Sequence, residues 1–325
     1  MTHFRRFRNS DTPALTGLWN RGTPEMCVVR PLTVHEFDEH IVGAPYFEAE
    51  GLIVAERDGV PIAYAHAGFG PGDPADPPLQ LSYEIGTVAM LIVDRGSIDP
   101  DVERSLLTQA EKYLRSRGAK VVYAGGQFPL NPFYWGFYGG SEWAGVLSGH
   151  TAFHRAALQA GFEPVSTTVL LEADMTGPPR GRDPRSVMIR RNTRLDVSED
   201  ALPKSWWEAL AIGDFRPTHY RLVARSDETV LASATTWDMT WFGRRDGRSR
   251  IGMLDLEVHR DHRRKGYGRY LVDEIDRLAR SQSIAAVSVQ TRSTNTPATA
   301  LYQSLGFVPV ENATLYRLPA GTTGH

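Results

Sequence analysis

Arg263-Arg264-Lys265-Gly266-Tyr267-Gly268 separates an apolar run, Met253 to Val258, from a helical pattern that continues to Arg280. Two glycines permit a tight turn and a close approach by a ligand, because neither carries a Cβ. The first amides of the following helix have no partner within it, and the helix macrodipole adds partial positive charge at that end. A helix end of this kind receives phosphate or pyrophosphate. Arg260, Arg263, Arg264, Lys265 and Arg269 surround it with cations, which suits a ligand with several phosphates better than one with a single carboxylate. The segment lacks the third glycine of a dinucleotide fingerprint and the Gly-Lys-Ser/Thr of a P-loop.

The order strand, Arg-x-x-Gly-x-Gly, helix resembles the acyl-CoA site of the GNAT superfamily of N-acyltransferases. A second element follows in order. Asn295-Thr-Pro-Ala298-Thr-Ala-Leu-Tyr302-Gln-Ser-Leu-Gly306-Phe307 resembles that family's Asn-x-x-Ala-x-x-x-Tyr-x-x-x-Gly-Phe segment. The resemblance covers residues 186 to 318 well and the first half only in outline. It implies an α/β (α+β) fold of two tandem GNAT-like domains, each a mixed, mostly antiparallel sheet flanked by helices. It also implies acetyl-CoA as acyl donor and a primary amine, chiefly of a small molecule, as acceptor. Main-chain groups of Leu256 and Val258 would then pair with pantetheine, and Arg263, Arg264, Lys265, Gly266, Tyr267, Gly268 and Arg269 would hold the phosphates. Asn295 would cap its helix and contact pantetheine, and Tyr302 would face the thioester as general acid.

Deprotonating an ammonium calls for a carboxylate or a histidine. Asp255 and Glu257 alternate with Leu254, Leu256 and Val258, so both acids face one side of a strand. Adjacent carboxylates raise one another's pKa, as a base requires. The segment Asp255-Leu-Glu-Val258 is similar to the Asp-Leu-Ala-Val element of aminoglycoside acetyltransferases, in which the Asp meets the amine. Either acid then serves as base or amine anchor; the plain alternative is a salt bridge to nearby arginines. A phenol of pKa ~10 is a weaker acid than a thiol of ~8.5, so Tyr302 would act chiefly by a hydrogen bond to the developing thiolate. His259-x-x-His262 has metal-ligand spacing but no third ligand in view, and no metal is expected.

The 325 residues are 41% hydrophobic and 23% charged with a net charge of -2, which excludes the disordered class and a global nucleic-acid footprint. Cys27 is the single cysteine, so no internal disulfide forms, and a small buried apolar role is expected for it. No signal-peptide core and no run of ~18 apolar residues is present, so a cytoplasmic protein without membrane or nucleic-acid partners is expected.

The halves read as a diverged repeat. Residues 113–122 parallel 278–287, and this frame places Val93 under Val258 and Leu106 under Leu271. The cradle does not survive the shift: Arg263, Arg264, Gly266 and Gly268 fall on Ile98, Asp99, Asp101 and Glu103, and Tyr302 falls on Ala157. We expect a degenerate GNAT-like domain over 1–175 with an acceptor-site or structural role, a linker over 176–184, and a catalytic domain over 185–320. An aromatic and glycine-rich insertion, Asn131 to Trp143, would line an acceptor pocket or fold onto its own domain. Competing readings are a protein N-terminal or lysine acetyltransferase, and a non-catalytic acyl-CoA sensor.

Overall fold

In the first half, β1 (Thr2–Arg6) leads to α1 (Thr12–Gly22), α2 (Val34–Phe37), β2 (Leu52–Arg57), β3 (Val60–Pro71) and β4 (Leu81–Val93). There follow α3 (Pro100–Ser116), β5 (Val121–Ala124), the short β6 (Val146–Leu147), α4 (Thr151–Gln159) and β7 (Glu163–Asp174). The second half comprises α5 (Arg185–Asn192), β8 (Thr193–Ser198), β9 (Thr218–Ala224), β10 (Val230–Asp238) and β11 (Arg250–Val258). It ends with α6 (Tyr267–Ser281), β12 (Ala286–Arg292), α7 (Thr296–Ser304) and β13 (Val308–Arg317). This computed structural model describes residues 1–71, 81–97, 99–126, 133–142, 144–179, 181, 183–199, 209–210 and 215–319. The helix expected at 203–212 lies outside them except for residues 209 and 210.

The strands form one continuous sheet in the order β1-β2-β3-β4-β5-β13-β7-β12-β11-β10-β9-β8, with β6 added to β13. Among the described strands, β4 with β5 and β11 with β12 run parallel; the other named pairings are antiparallel. The halves exchange their last strands. β7 pairs with β12, and β13 lies between β7 and β5. Each half thereby completes the sheet of the other, and backbone hydrogen bonds cross the join without a break.

The repeat is visible in the register itself. Ile85 faces Val121 in the first parallel pair and Arg250 faces Ala286 in the second, a shift of 165 on both strands (250 minus 85, 286 minus 121). Beyond the insertion, α4 and α7 begin at Thr151 and Thr296, a shift of 145 (296 minus 151). Helix α6 buries Leu271, Val272, Ile275 and Ala279 against the sheet, the 3-4 spacing of an amphipathic helix. On its charged face Arg277 pairs with Glu274 at 2.8 Å, and Arg280 reaches the carbonyls of Met175 and Gly177 at 2.5 and 2.6 Å.

Two features depart from the expected elements. The strands expected near 307–310 and 314–318 are one strand, β13, whose register shifts between Pro309 and Glu311 and again between Leu315 and Tyr316. Bulges interrupt the alternation that marks a strand in sequence. The central strand β7 and helix α4 carry no strong signal of their own; β7 opens on exposed Glu163, Pro164 and Val165 and gains its place from partners in the other half.

Candidate active site at the fork of β11 and β12

Parallel pairing of β11 with β12 runs from Arg250 to Gly252 and goes no further, although β11 continues to Val258 and β12 to Arg292. The two strands therefore part in a fork that opens toward α6. On its other edge β11 stays paired with β10, Ala232 facing Val258, Ser233 facing Glu257 and Thr235 facing Leu254, with a bulge between the last two pairs. The bulge centres on Asp255, whose φ of 53° lies in the left-handed region. Asp255 and Glu257 are both exposed, and Leu256 and Val258 are half-buried. Both acids are exposed, and a left-handed residue stands where a regular strand was expected.

The cradle follows directly. Gly266 is the residue before α6, at φ 90°, and no side chain caps the helix, so its first amides remain open to a ligand. Gly268 is needed for space: a Cβ there would stand 3.1 Å from Val258 Cγ2 and 3.8 Å from Leu301. Arg263 donates from Nε to the Val258 carbonyl at 3.2 Å, which ties the cradle to the end of β11. Arg264 (φ 60°) and Lys265 are exposed and Tyr267 half-buried at the start of the helix. Arg269, in the first turn of α6, is half-buried. Its guanidinium donates to Ser304 Oγ at 3.1 Å and lies 3.9 Å from Asp183. A cavity of about 500 Å³ adjoins the cradle, lined by Arg191, Arg225, His262 and Tyr267 among others.

The equivalent end of α3 is closed. Asp99 caps it, its carboxylate accepting from the amides of Asp101 and Val102 at 3.1 and 3.4 Å. A negative charge already neutralises that helix end. Glu103, at the position of Gly268, is fully buried and held by the Arg155 guanidinium of α4 at 2.7 and 2.5 Å. This ion pair bridges α3 and α4, which pack directly on one another, whereas α6 and α7 lack comparable contact.

Asn295 caps α7, its Oδ1 accepting from the Ala298 amide at 3.3 Å. Tyr302, on that helix, is 6% exposed. Burial first, and then the charge of Glu142, hold its phenol above the ordinary value. Glu142 is the residue that sequence reasoning missed. It ends the described part of the first half's insertion, and desolvation, followed by the charge of Asp255, pushes its carboxyl up to about 8. The signal available in the sequence was its composition: one acid within an otherwise aromatic and glycine-rich stretch.

The insertion is anchored at the fork. Trp237 Nε1 of β10 donates to the Ser141 carbonyl at 2.8 Å. A Cβ on Gly252, the last β11 residue paired with β12, would stand 2.9 Å from Ser141 Cβ. Behind it, Phe137, Phe215, Trp237 and Trp241 form a continuous aromatic cluster with ring centroids 5.1 to 6.5 Å apart. Salt bridges reinforce the contact between halves, with Arg250 to Glu172 at 3.0 Å, Arg245 to Glu25 at 3.1 Å, and Arg244 to Glu36. The Cys27 carbonyl accepts from the Gly139 amide of the insertion at 2.9 Å; burial, then Glu311, pushes its thiol up to about 12, which leaves it inert as a nucleophile.

Residues 188–307 match the model of the acetyltransferase (GNAT) family. A tandem GNAT protein from the clavulanic acid biosynthesis pathway is similar over 100% of both chains, at 14% identity and a TM-score of 0.68. A GCN5-related N-acetyltransferase from Sphaerobacter thermophilus matches 97% of this chain and 95% of its own, at 14% identity and a TM-score of 0.62. N-myristoyltransferase of Saccharomyces cerevisiae, solved with myristoyl-CoA, matches 98% of this chain and 78% of its own, at 10% identity and a TM-score of 0.54. These likenesses concern the fold. Among curated proteins none matches the chain. Among the described residues no helix is long and apolar enough to cross a membrane. Residues 188–307 thus match the acetyltransferase (GNAT) family, and the chain as a whole is similar in fold to a tandem GNAT protein.

Proposed function

We propose that the chain transfers an acetyl group from acetyl-CoA to a primary amine of a small molecule, at a single site in residues 185–320. The observation that carries this reading is the contrast between the two helix ends: α6 opens on Gly266 without a side-chain cap, beside a forked strand pair, while α3 is capped by Asp99. In this reading the phosphates of acetyl-CoA sit on the α6 amides with Arg263, Arg264 and Lys265 around them. Pantetheine runs along the free edge of β11 at Leu256 and Val258, between α6 and α7 with Asn295 at its side, and the thioester reaches Tyr302. Nothing in the cradle selects acetyl over a longer acyl chain; acetyl is the family's usual donor.

A neutral amine attacks the thioester carbonyl, a C–N bond forms, and collapse breaks the C–S bond. The leaving sulfur takes the Tyr302 proton, and the surplus proton on the amide nitrogen returns to the phenolate. A positioned acid of this kind contributes ~10² to 10⁴ in rate. Asp255 and Glu257, exposed at the bulge, are suited to attract the cationic amine. Residues 1–175 supply the acceptor side of the site and 176–184 link the two parts. The aromatic cluster favours a small acceptor over a protein tail, since such rings offer large contact area at small entropy cost. The test is free-thiol release from acetyl-CoA across a panel of amines and peptides. Release with small amines supports the reading, and release confined to peptides or absent with every acceptor contradicts it.

A further inference from the structure

Resting on the acyl-transfer reading above, we propose that Glu142, carried by the first half, takes the ammonium proton of the acceptor, so that the amine site is built from both halves of the chain. The placement follows from three anchors. Ser141 is bonded to Trp237, it touches the fork residue Gly252, and Gly140 lies over Gln290 of β12, a Cβ there being 3.8 Å from Gln290 Oε1. The carboxyl that follows stands within the electrostatic reach of Asp255 on β11 and of Tyr302 on α7. Among the described residues these are the charged and titratable groups that act on it.

An independent observation marks the same place as a ligand site. Among the described residues, Ser141 Oγ and both amide atoms of Gln290 are buried without a hydrogen-bond partner, Ser141 being 0% and Gln290 7% exposed. Buried polar groups are nearly always satisfied, and the exceptions call for a missing partner. A hydroxyl and an amide together offer donors and acceptors to a polar acceptor molecule. Close by, a cavity of about 270 Å³ is lined by Phe215, Arg216, Asp238, Thr240 and Trp241, two of them members of the aromatic cluster.

The proton balance is complete. Glu142 carboxylate takes one proton from the ammonium and leaves a neutral amine; after transfer the carboxylic acid releases that proton to solvent. The net change is thioester plus ammonium to amide, thiol and one proton. A carboxyl at about 8 rather than 4.5 makes this transfer about 10³-fold more favourable, at tenfold per pKa unit. It is matched to its task near neutral pH, whereas Asp255 and Glu257 are exposed to water.

The experiment compares wild type, Glu142→Gln and Glu142→Asp in thiol release from acetyl-CoA, with acetyl-CoA affinity measured by calorimetry. Two probe amines are used: tyramine, an alkylamine of pKa ~10, and glycine ethyl ester, whose amine titrates at ~8 like an α-amino group. With tyramine, Glu142→Gln is expected to lose about 10²-fold or more in kcat and the acidic limb near pH 8. With the ester, largely neutral at pH 8.5, the loss is below about tenfold. Affinity for acetyl-CoA is unchanged in both variants. Glu142→Asp keeps the limb with reduced rate and decides the matter should Glu142→Gln melt low. Equal losses with both amines, or a variant at half the wild-type rate with tyramine, overturn the role of Glu142 while transfer stands. Wild type that binds acetyl-CoA and acylates neither these amines nor any other small amine of the panel overturns the transfer reading and this proposal together.

Discussion

The indole Nε1 of Trp237 donates to the carbonyl of Ser141 at 2.8 Å, across 96 residues of sequence. One partner lies on β10 of the second half, the other in the insertion of the first. The bond fixes a loop of the first half to the fork at which two parallel strands separate, beside the candidate site, while the equivalent helix end of the first half is capped by Asp99.

That join is tight enough to test by a single methyl group. A Cβ on Gly252 would stand 2.6 Å from Trp237 Nε1, 2.8 Å from Met239 Sδ and 2.9 Å from Ser141 Cβ. Overpacking of this kind costs typically about 1–3 kcal/mol. Gly252→Ala is expected to lower stability by that amount in chemical denaturation and to weaken acyl transfer more than acetyl-CoA binding. Wild-type stability in the variant would show that the halves meet loosely at the fork.

Tyr302→Phe is expected to lower kcat by about 10² or more with little change in acetyl-CoA affinity or melting temperature, since Phe keeps the packing against Phe307. The phenol is raised above its ordinary value by burial and then by Glu142, so it stays protonated through neutral and mildly alkaline pH. The rate profile should show no alkaline limb from this group below pH ~10. A variant that retains half the wild-type turnover, with chemistry rate-limiting, makes Tyr302 structural.

Much of this was readable because it is local. The cradle, the helix after it and the Asn295 to Phe307 segment are encoded by residues close in sequence, where glycine positions and apolar spacing act directly. The repeat was legible for the same reason, with β5 and β12 starting at Val121 and Ala286 in the expected frame. What was not legible depends on distant partners. β7 is a central strand only because β12 and β13 lie on either side of it. Glu142 looks like an ordinary surface acid until Asp255, Tyr302 and the fork are brought around it. Arg269 fits the cationic pattern in sequence, but its contacts with Ser304 and Asp183 join segments far apart in the chain and could not be read there.

Stability against pH provides a check on Glu142 that needs no substrate. Its carboxyl is raised from 4.5 to about 8 in the folded chain, so between those values the folded state holds a proton that the unfolded chain has lost. Stability therefore falls as pH rises through that window. At ~1.4 kcal/mol per unit the full shift caps the effect near 5 kcal/mol, and partial exposure brings it to about 1–3. Glu142→Gln should gain on wild type from pH 5 to 9 in parallel denaturation curves. A difference that stays flat with pH shows that the folded chain does not hold this proton.

The most direct test of the central claim is a calorimetric titration of the full chain with acetyl-CoA, alongside Gly266→Asp and Asp99→Gly. The account predicts one site per chain, lost in Gly266→Asp, which places a carboxylate at the open end of α6, and unchanged in Asp99→Gly, because Glu103 and Arg155 still bridge α3 and α4. Two equivalent sites in the wild type, or undiminished binding by Gly266→Asp, would contradict it.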